Sequence, residues 1–222
     1  MSASQGKGAN DKGEKRERLI AKQLTKWSGE RVMRTLSSGA GGTRAVDEIR
    51  MTGDLFFPLG SNNSFSYEIK DHATTKLNQV FNNNGDIPEF WKQAVTDCRR
   101  VEKYGFIPML IFHISRETDY VLTIFNPNIA HSLLAKGLKC QIQVTSYKDD
   151  RLKTQENFLT ILTTLPDLMK INFTTVCEYT KDFDWEHYAF NSVLDSETVE
   201  DVFTGLDSLL KKDNEGTLDN GF

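Results

Sequence analysis

The segment GDLFFPLGSNNSFSYEIK, residues 53–70, decides how this chain is read. Phe65-Ser66-Tyr67-Glu68-Ile69-Lys70 alternates apolar and polar side chains, the period of a strand with one buried face. Leu59-Gly60-Ser61-Asn62-Asn63 is turn chemistry. Residues 50–57 read as a strand containing Gly53-Asp54, so the whole segment predicts a β-hairpin. On a strand, residues two apart share a face. Glu68 and Lys70 therefore project together, and Phe65, Tyr67 and Ile69 project the other way. The hairpin brings Asp54 alongside Glu68.

Working outward, the spacing predicts a helix from about Glu14 to Trp27, with Ile20, Leu24 and Trp27 on one stripe and Gly29 as its stop. A short strand, Arg31–Leu36, leads into Ser37-Ser38-Gly39-Ala40-Gly41-Gly42, a loop with exposed backbone N–H groups. After the hairpin, Asn82–Asp86 is a loop in which Asp86 is placed to cap a helix, with Pro88 early in it. That helix carries Phe90, Ala94, Cys98 and Val101 on one stripe and ends at Gly105. Gln93, Asp97, Arg100 and Tyr104 run along a flanking stripe. Met109–His113, Tyr120–Phe125 and Gln141–Tyr147 read as strands. Ile129–Lys136, Asn157–Thr164 and Glu197–Leu210 read as helices, with Pro166 closing the second. There is no internal repeat. The order predicts an α/β fold, a central mixed sheet flanked by helices.

The 222 residues suffice for one good-sized domain or a domain with an appendage. Hydrophobic residues make up 38% and charged residues 26%, as in soluble globular proteins. No apolar run is long enough to span a bilayer, so no membrane partner is expected. The first residues, MSASQGKGANDKGEKRER, lack the apolar core of a secretory signal. Cys98, Cys140 and Cys177 are widely spaced, which disfavours a disulfide framework or a zinc site and suggests a reducing, cytoplasmic setting. The net charge of −4 argues against nucleic acid, but its distribution argues back. Residues 1–114 carry 17 Lys and Arg against 13 Asp and Glu, while residues 115–222 carry 10 against 18. A local positive face in the front half is compatible with that balance.

Two acids and a lysine over one patch of sheet suit phosphodiester hydrolysis. That reaction must activate a water, offset charge on the phosphorane and support the leaving oxygen. Mg²⁺ takes oxygen ligands, usually a few carboxylates with water and phosphate completing its shell. Asp54 and Glu68 would hold the ion, Mn²⁺ substituting, and Lys70 would polarise the attacking water. Glu17 lies within about 20–80° of the buried stripe of its helix at about 100° per residue. An acid there is costly without a partner, and a metal would be one. An ExK tripeptide alone arises by chance about once per 200 residues at ordinary composition. The informative pattern is ordered: helix glutamate, Gly/Ser loop, strand Gly-Asp, turn, ExK strand, amphipathic helix.

In that order the residues resemble the PD-(D/E)xK nuclease superfamily, and within it the archaeal-type Holliday junction resolvases. The resemblance is carried by KGEKRERLIAKQL, RTLSSGAGG, GDLFFP, FSYEIKDH and FWKQAVTDCRRVEKYGFIPMLIFH and covers roughly residues 12–114. It implies a restriction-endonuclease-like core, Glu17, Asp54 and Glu68 as metal ligands, and Lys70 as the catalytic lysine. It also implies Ser38 as a loop residue facing the phosphate or the site, and Gln93 as a helix glutamine reaching the active site. Gly53 stands where the motif has proline. Residues 115–222 have no counterpart in the compact resolvases. The organisation expected is a flexible basic arm (1–13), a nuclease core (14–114), an α/β extension continuing it (115–190) and an acidic helical tail (191–222). Lys15, Arg16, Arg34, Ser38 and Arg100 are the expected DNA contacts. Branched DNA and a homodimer are the expected partners, because resolving a junction needs paired nicks.

Each feature also has a plainer reading. Glu17 suits a helix first turn, Asp54 a turn cap, and Glu68–Lys70 an exposed strand ion pair. The Ser/Gly loop reads equally as a connector and Gln93 as a polar side chain on the helix surface. Arg99, Arg100 and Lys103 fit a solvated helix face as well as a phosphate contact. Two rival functions stand beside the resolvase: a restriction-type or DNA-processing nuclease on another DNA form, and a non-catalytic DNA-binding or inhibitor protein on the same scaffold.

Overall fold

The computed structural model describes residues 3–35, 53–149 and 154–190. The expected helix Glu197–Leu210, the acidic tail and the Gly/Ser loop with Ser38 lie outside the described residues.

Among the described residues, eight strands form one mixed sheet. They are β1 (Met33–Arg34), β2 (Leu55–Phe56), β3 (Phe65–Asp71), β4 (Ile107–His113), β5 (Asp119–Ile124), β6 (Gln141–Asp149), β7 (Thr154–Thr164) and β8 (Ala189–Phe190). The order is β1-β2-β3-β4-β5-β7-β6, with β8 pairing β7. Among these strands, β3 and β4 alone pair in parallel, in register from Phe65–Ile107 to Asp71–His113. The α/β fold with a central mixed sheet is therefore as expected, and the predicted hairpin is β2–β3, antiparallel with Leu55 opposite Tyr67.

The helices are α1 (Ala3–Ser28), α2 (Leu77–Phe81), α3 (Ile87–Arg100), α4 (Pro127–Ala135), α5 (Leu165–Leu168) and α6 (Phe173–Thr180). Ile20 and Leu24 on α1 are fully buried. Trp27 meets Phe173 edge-on at 5.0 Å, Phe173 stacks on Phe57 at 5.5 Å, and Phe57 stacks on Tyr67 at 5.7 Å. This aromatic ladder ties α1 and α6 to the Tyr67 face of β3. The Glu68 face is covered by α3, whose Trp91 packs edge-on against Phe158 of β7. Strand alternation in β3 thus separates an apolar face from a polar one.

Several elements differ from expectation. The helix expected from Glu14 begins at Ala3, so residues 3–13, read as a flexible arm, are helical. Asn157–Thr164 is not a helix but part of β7. It sits between β5 and β6, buried on both faces, so its apolar run shows no period-2 alternation. Its β-branched content (Thr160, Ile161, Thr163, Thr164) marked it as a strand. Pro166, read as a stop, instead sits in the first turn of α5 behind the Thr164 cap, where its missing N–H costs nothing. Asp86 precedes α3 but makes no capping hydrogen bond; its carboxylate meets His72 Nδ1 at 3.4 Å.

Arg99 is the chief polar link between α3 and the far end of the sheet. Its guanidinium donates to both oxygens of Glu186 at 2.8 Å and to Tyr147 Oη at 3.1 Å, and lies 2.9 Å from Glu156. It also lies over the Phe158 and Trp185 rings. At the other end, Arg16 of α1 bridges Asp71 and Asp119 at 3.2 and 3.1 Å, joining α1 to the ends of β3 and β5.

Candidate active site

The site begins with a backbone constraint. Gly53 has φ +69°. A Cβ at this position would lie 2.7 Å from the Tyr67 carbonyl oxygen. Proline, fixed near φ −65°, cannot take this conformation, and alanine would be strained and crowded. Glycine at the motif-proline position is therefore required by this hairpin. The tight approach lets the Asp54 N–H donate to Tyr67 O at 2.8 Å, while Thr35 N–H donates to Asp54 O at 2.9 Å.

Asp54 also uses its side chain to fix itself. Its Oδ2 accepts the Ile69 backbone N–H at 2.7 Å, where the short β2 makes no ladder pair. Asp54 is 7% exposed and Glu68 2%. Glu68 Oε1 lies 2.5 Å from Lys70 Nζ but makes no well-angled hydrogen bond, and among the described residues its buried Oε2 has no hydrogen-bond partner. Lys70 Nζ donates to Gln93 Oε1 at 2.8 Å and lies 5.5 Å above the Phe90 ring. Gln93 of α3 thus reaches the lysine, and Asp54, Glu68 and Lys70 come together as expected.

Burial sets the electrostatics. It pushes the Asp54 carboxyl up to about 7, with the nearby Glu17 carboxylate adding and the Ile69 N–H opposing. It pushes Glu68 up to about 8, with Asp54 adding and Lys70 opposing. Two like charges in a poorly solvated place favour protonation unless a cation joins them. An orphaned, buried carboxylate oxygen beside a second acid is the donor set a hard divalent cation takes. The residues present fit such an ion.

Glu17 is buried at 8% exposure but is held by Arg34, whose Nε donates to Glu17 Oε2 and whose Nη1 lies 3.3 Å from Glu14. Among the described residues, no group of three or more His, Cys, Asp or Glu side chains is placed to hold a metal. Glu17 has the Arg34 guanidinium as its charge partner, and its own charge reaches Asp54.

The expected DNA contacts divide. Lys15 is exposed on α1. Arg16 and Arg34 are turned inward onto acids, and Arg100 lies 2.5 Å from Asp97. Asp97 is a further acid beside the site that the sequence pattern does not single out. Burial raises its pKa, while Arg100 and Lys70 oppose the rise, and its charge is felt by Asp54 and Glu68. Its one signal in the sequence is its position one turn beyond Gln93 on the same helix stripe.

A strand aspartate after a constrained glycine, an ExK strand and a helix glutamine on one sheet face define a nuclease of the PD-(D/E)xK class. The chain belongs to the family described as "Phage putative PDDEXK endonuclease", whose model matches residues 8–178. No curated protein matches it. Among the described residues, no helix is long and apolar enough to cross a membrane.

The Gly53 geometry gives a direct prediction. Gly53→Ala should destabilise the fold by about 1–3 kcal/mol through the left-handed φ and the carbonyl approach. It should also lower cleavage more than stability alone explains, because Asp54 is displaced. Thermal melts and cleavage rates on the same preparation check this; an unchanged rate would refute it.

Proposed function

We propose that this endonuclease is a Mg²⁺-dependent deoxyribonuclease, with Mn²⁺ able to substitute, and that its substrate is a four-way DNA junction cut by a homodimer. The observation that carries the metal reading is the Glu68 carboxylate, 2% exposed with an orphaned Oε2 beside Asp54. Asp54 and Glu68 would hold the ion, which when bound supplies Lewis-acid activation of water and phosphate. The chain's own residues do the rest. The Ile69 N–H orients Asp54. Gln93 holds the Lys70 ammonium at the edge of the site, close to Glu68. From there Lys70 can orient the attacking water and offset charge on the phosphorane. Exposed Lys15 on α1 is available for backbone phosphate.

The substrate reading rests on the ordered resemblance to junction resolvases. Cleavage of a four-way junction should exceed that of linear duplex of the same sequence by tenfold or more, on the scale of structure-specific discrimination. Equal rates would leave a nuclease of another DNA form. Sedimentation of the protein alone and on junction DNA should give a dimer; a monomer on the junction would refute the paired-nick arrangement. Lys70→Ala should reduce cleavage by roughly 10²–10³-fold with Mg²⁺ affinity little changed. A normal rate would remove the lysine from the chemistry.

A further inference from the structure

We propose that the Arg34 guanidinium occupies the place of a second cation between Glu17 and Asp54, so that the site takes up one divalent ion and not two. The inference rests on the metal reading above and adds the number of ions and the residue that sets it.

Arg34 sits on β1 opposite Leu55 of β2, the residue that follows Asp54. The Thr35 N–H next to it donates to the Asp54 carbonyl. From this edge Arg34 reaches α1, pairs with Glu17 through Nε and approaches Glu14 through Nη1. Its charge is felt by Asp54 as well as by both glutamates. Glu17 and Asp54 are each under a tenth exposed, and each needs a positive neighbour. A guanidinium stays charged at any working pH, so it is a permanent counter-charge, whereas a bound ion comes and goes. Glu68 has Lys70 near one oxygen, and among the described residues its other oxygen has no hydrogen-bond partner. The two sides of Asp54 thus differ: one is filled by the chain's own cation, the other is left for a metal.

Arg34→Met keeps an unbranched apolar stem and removes the charge. Glu17 is then buried without compensation, and a divalent ion bridging Glu17 and Asp54 is the available replacement. Mn²⁺ titration of the full chain, followed by the electron paramagnetic resonance of free Mn²⁺, reads this without any DNA or turnover. The wild type should bind one Mn²⁺ per chain, Arg34→Lys one, and Arg34→Met two. Arg34→Met/Glu17→Gln removes the pair together and should bind one ion with an affinity within about threefold of wild type, since no ligand of the first ion is lost. Two ions on the wild type, or one on a folded Arg34→Met, would overturn the proposal. Loss of the remaining ion in the double variant would also overturn it, by making Glu17 a ligand, and decides the matter even if Arg34→Met does not fold. Failure of the wild type to take up any Mn²⁺ would instead remove the metal reading itself.

Discussion

Glu68→Gln should lower cleavage by on the order of 10³-fold, the scale for losing a group that acts on the transition state, and should make the metal-free protein more stable at alkaline pH. The two effects have one cause. The folded state raises the Glu68 carboxyl to about 8, chiefly by burial. The folded chain therefore binds this proton more tightly than the unfolded chain does. Its stabilising contribution is complete below the unfolded carboxylate range and is lost as pH rises through the folded value. Asp54, raised to about 7, acts in the same direction. Metal-free wild type should thus lose a few kcal/mol between about pH 4.5 and pH 8. Glu68→Gln should flatten much of that slope. If the proposed ion binds the deprotonated acids, Mg²⁺ should restore wild-type stability, most strongly at the alkaline end. Melts across pH with chelator and with Mg²⁺ test each part. A wild-type melting temperature that rises from pH 5 to 8 in chelator would contradict the assignment of these two acids as the poorly solvated pair.

Arg99→Ala should be the most damaging substitution away from the site, costing about 2–4 kcal/mol. The Glu186 pair is half-exposed and contributes little by itself. The larger loss comes from Tyr147 and the mostly buried Glu156, which lose the guanidinium that joins them to α3, and from its contact with the Phe158 and Trp185 rings. For a chain of this size the melting temperature should fall by roughly 5–12 °C. DNA binding by the folded protein should be unchanged, because this arginine is committed to the fold. A large loss of DNA affinity with an unaltered melt would instead return Arg99 to the phosphate-contacting role considered for it.

The hairpin and the placement of its side chains were legible because they follow from local rules. Period-2 alternation separated Glu68 and Lys70 from Tyr67, and turn residues marked where the strands fold back. Gln93 reaching Lys70 also followed, through the resemblance, from one helix position. What was not legible depends on partners distant in sequence. The Arg34–Glu17 pair joins β1 to α1, and neither residue type predicts it. Strand β7 failed for a related reason: a strand covered on both faces has no polar side to reveal its period. Pro166 shows the same limit, since a proline opens or closes a helix according to which neighbours are already ordered.

The hydrogen bond from Ile69 to the Asp54 side chain has a consequence for how this protein can change over evolutionary time. It pins the pairing of two strands at the same point that aligns the acids. A one-residue slip would turn Glu68 and Lys70 into the aromatic layer and break that bond, so wrongly registered molecules would be inert and unstable together. Between the pinned ends, the turn from Pro58 to Ser64 bears neither carboxylate nor the lysine. Length changes should therefore accumulate there without moving the chemistry. Single-residue insertions on either side of the pin, at Gly53 or between Tyr67 and Lys70, should be purged.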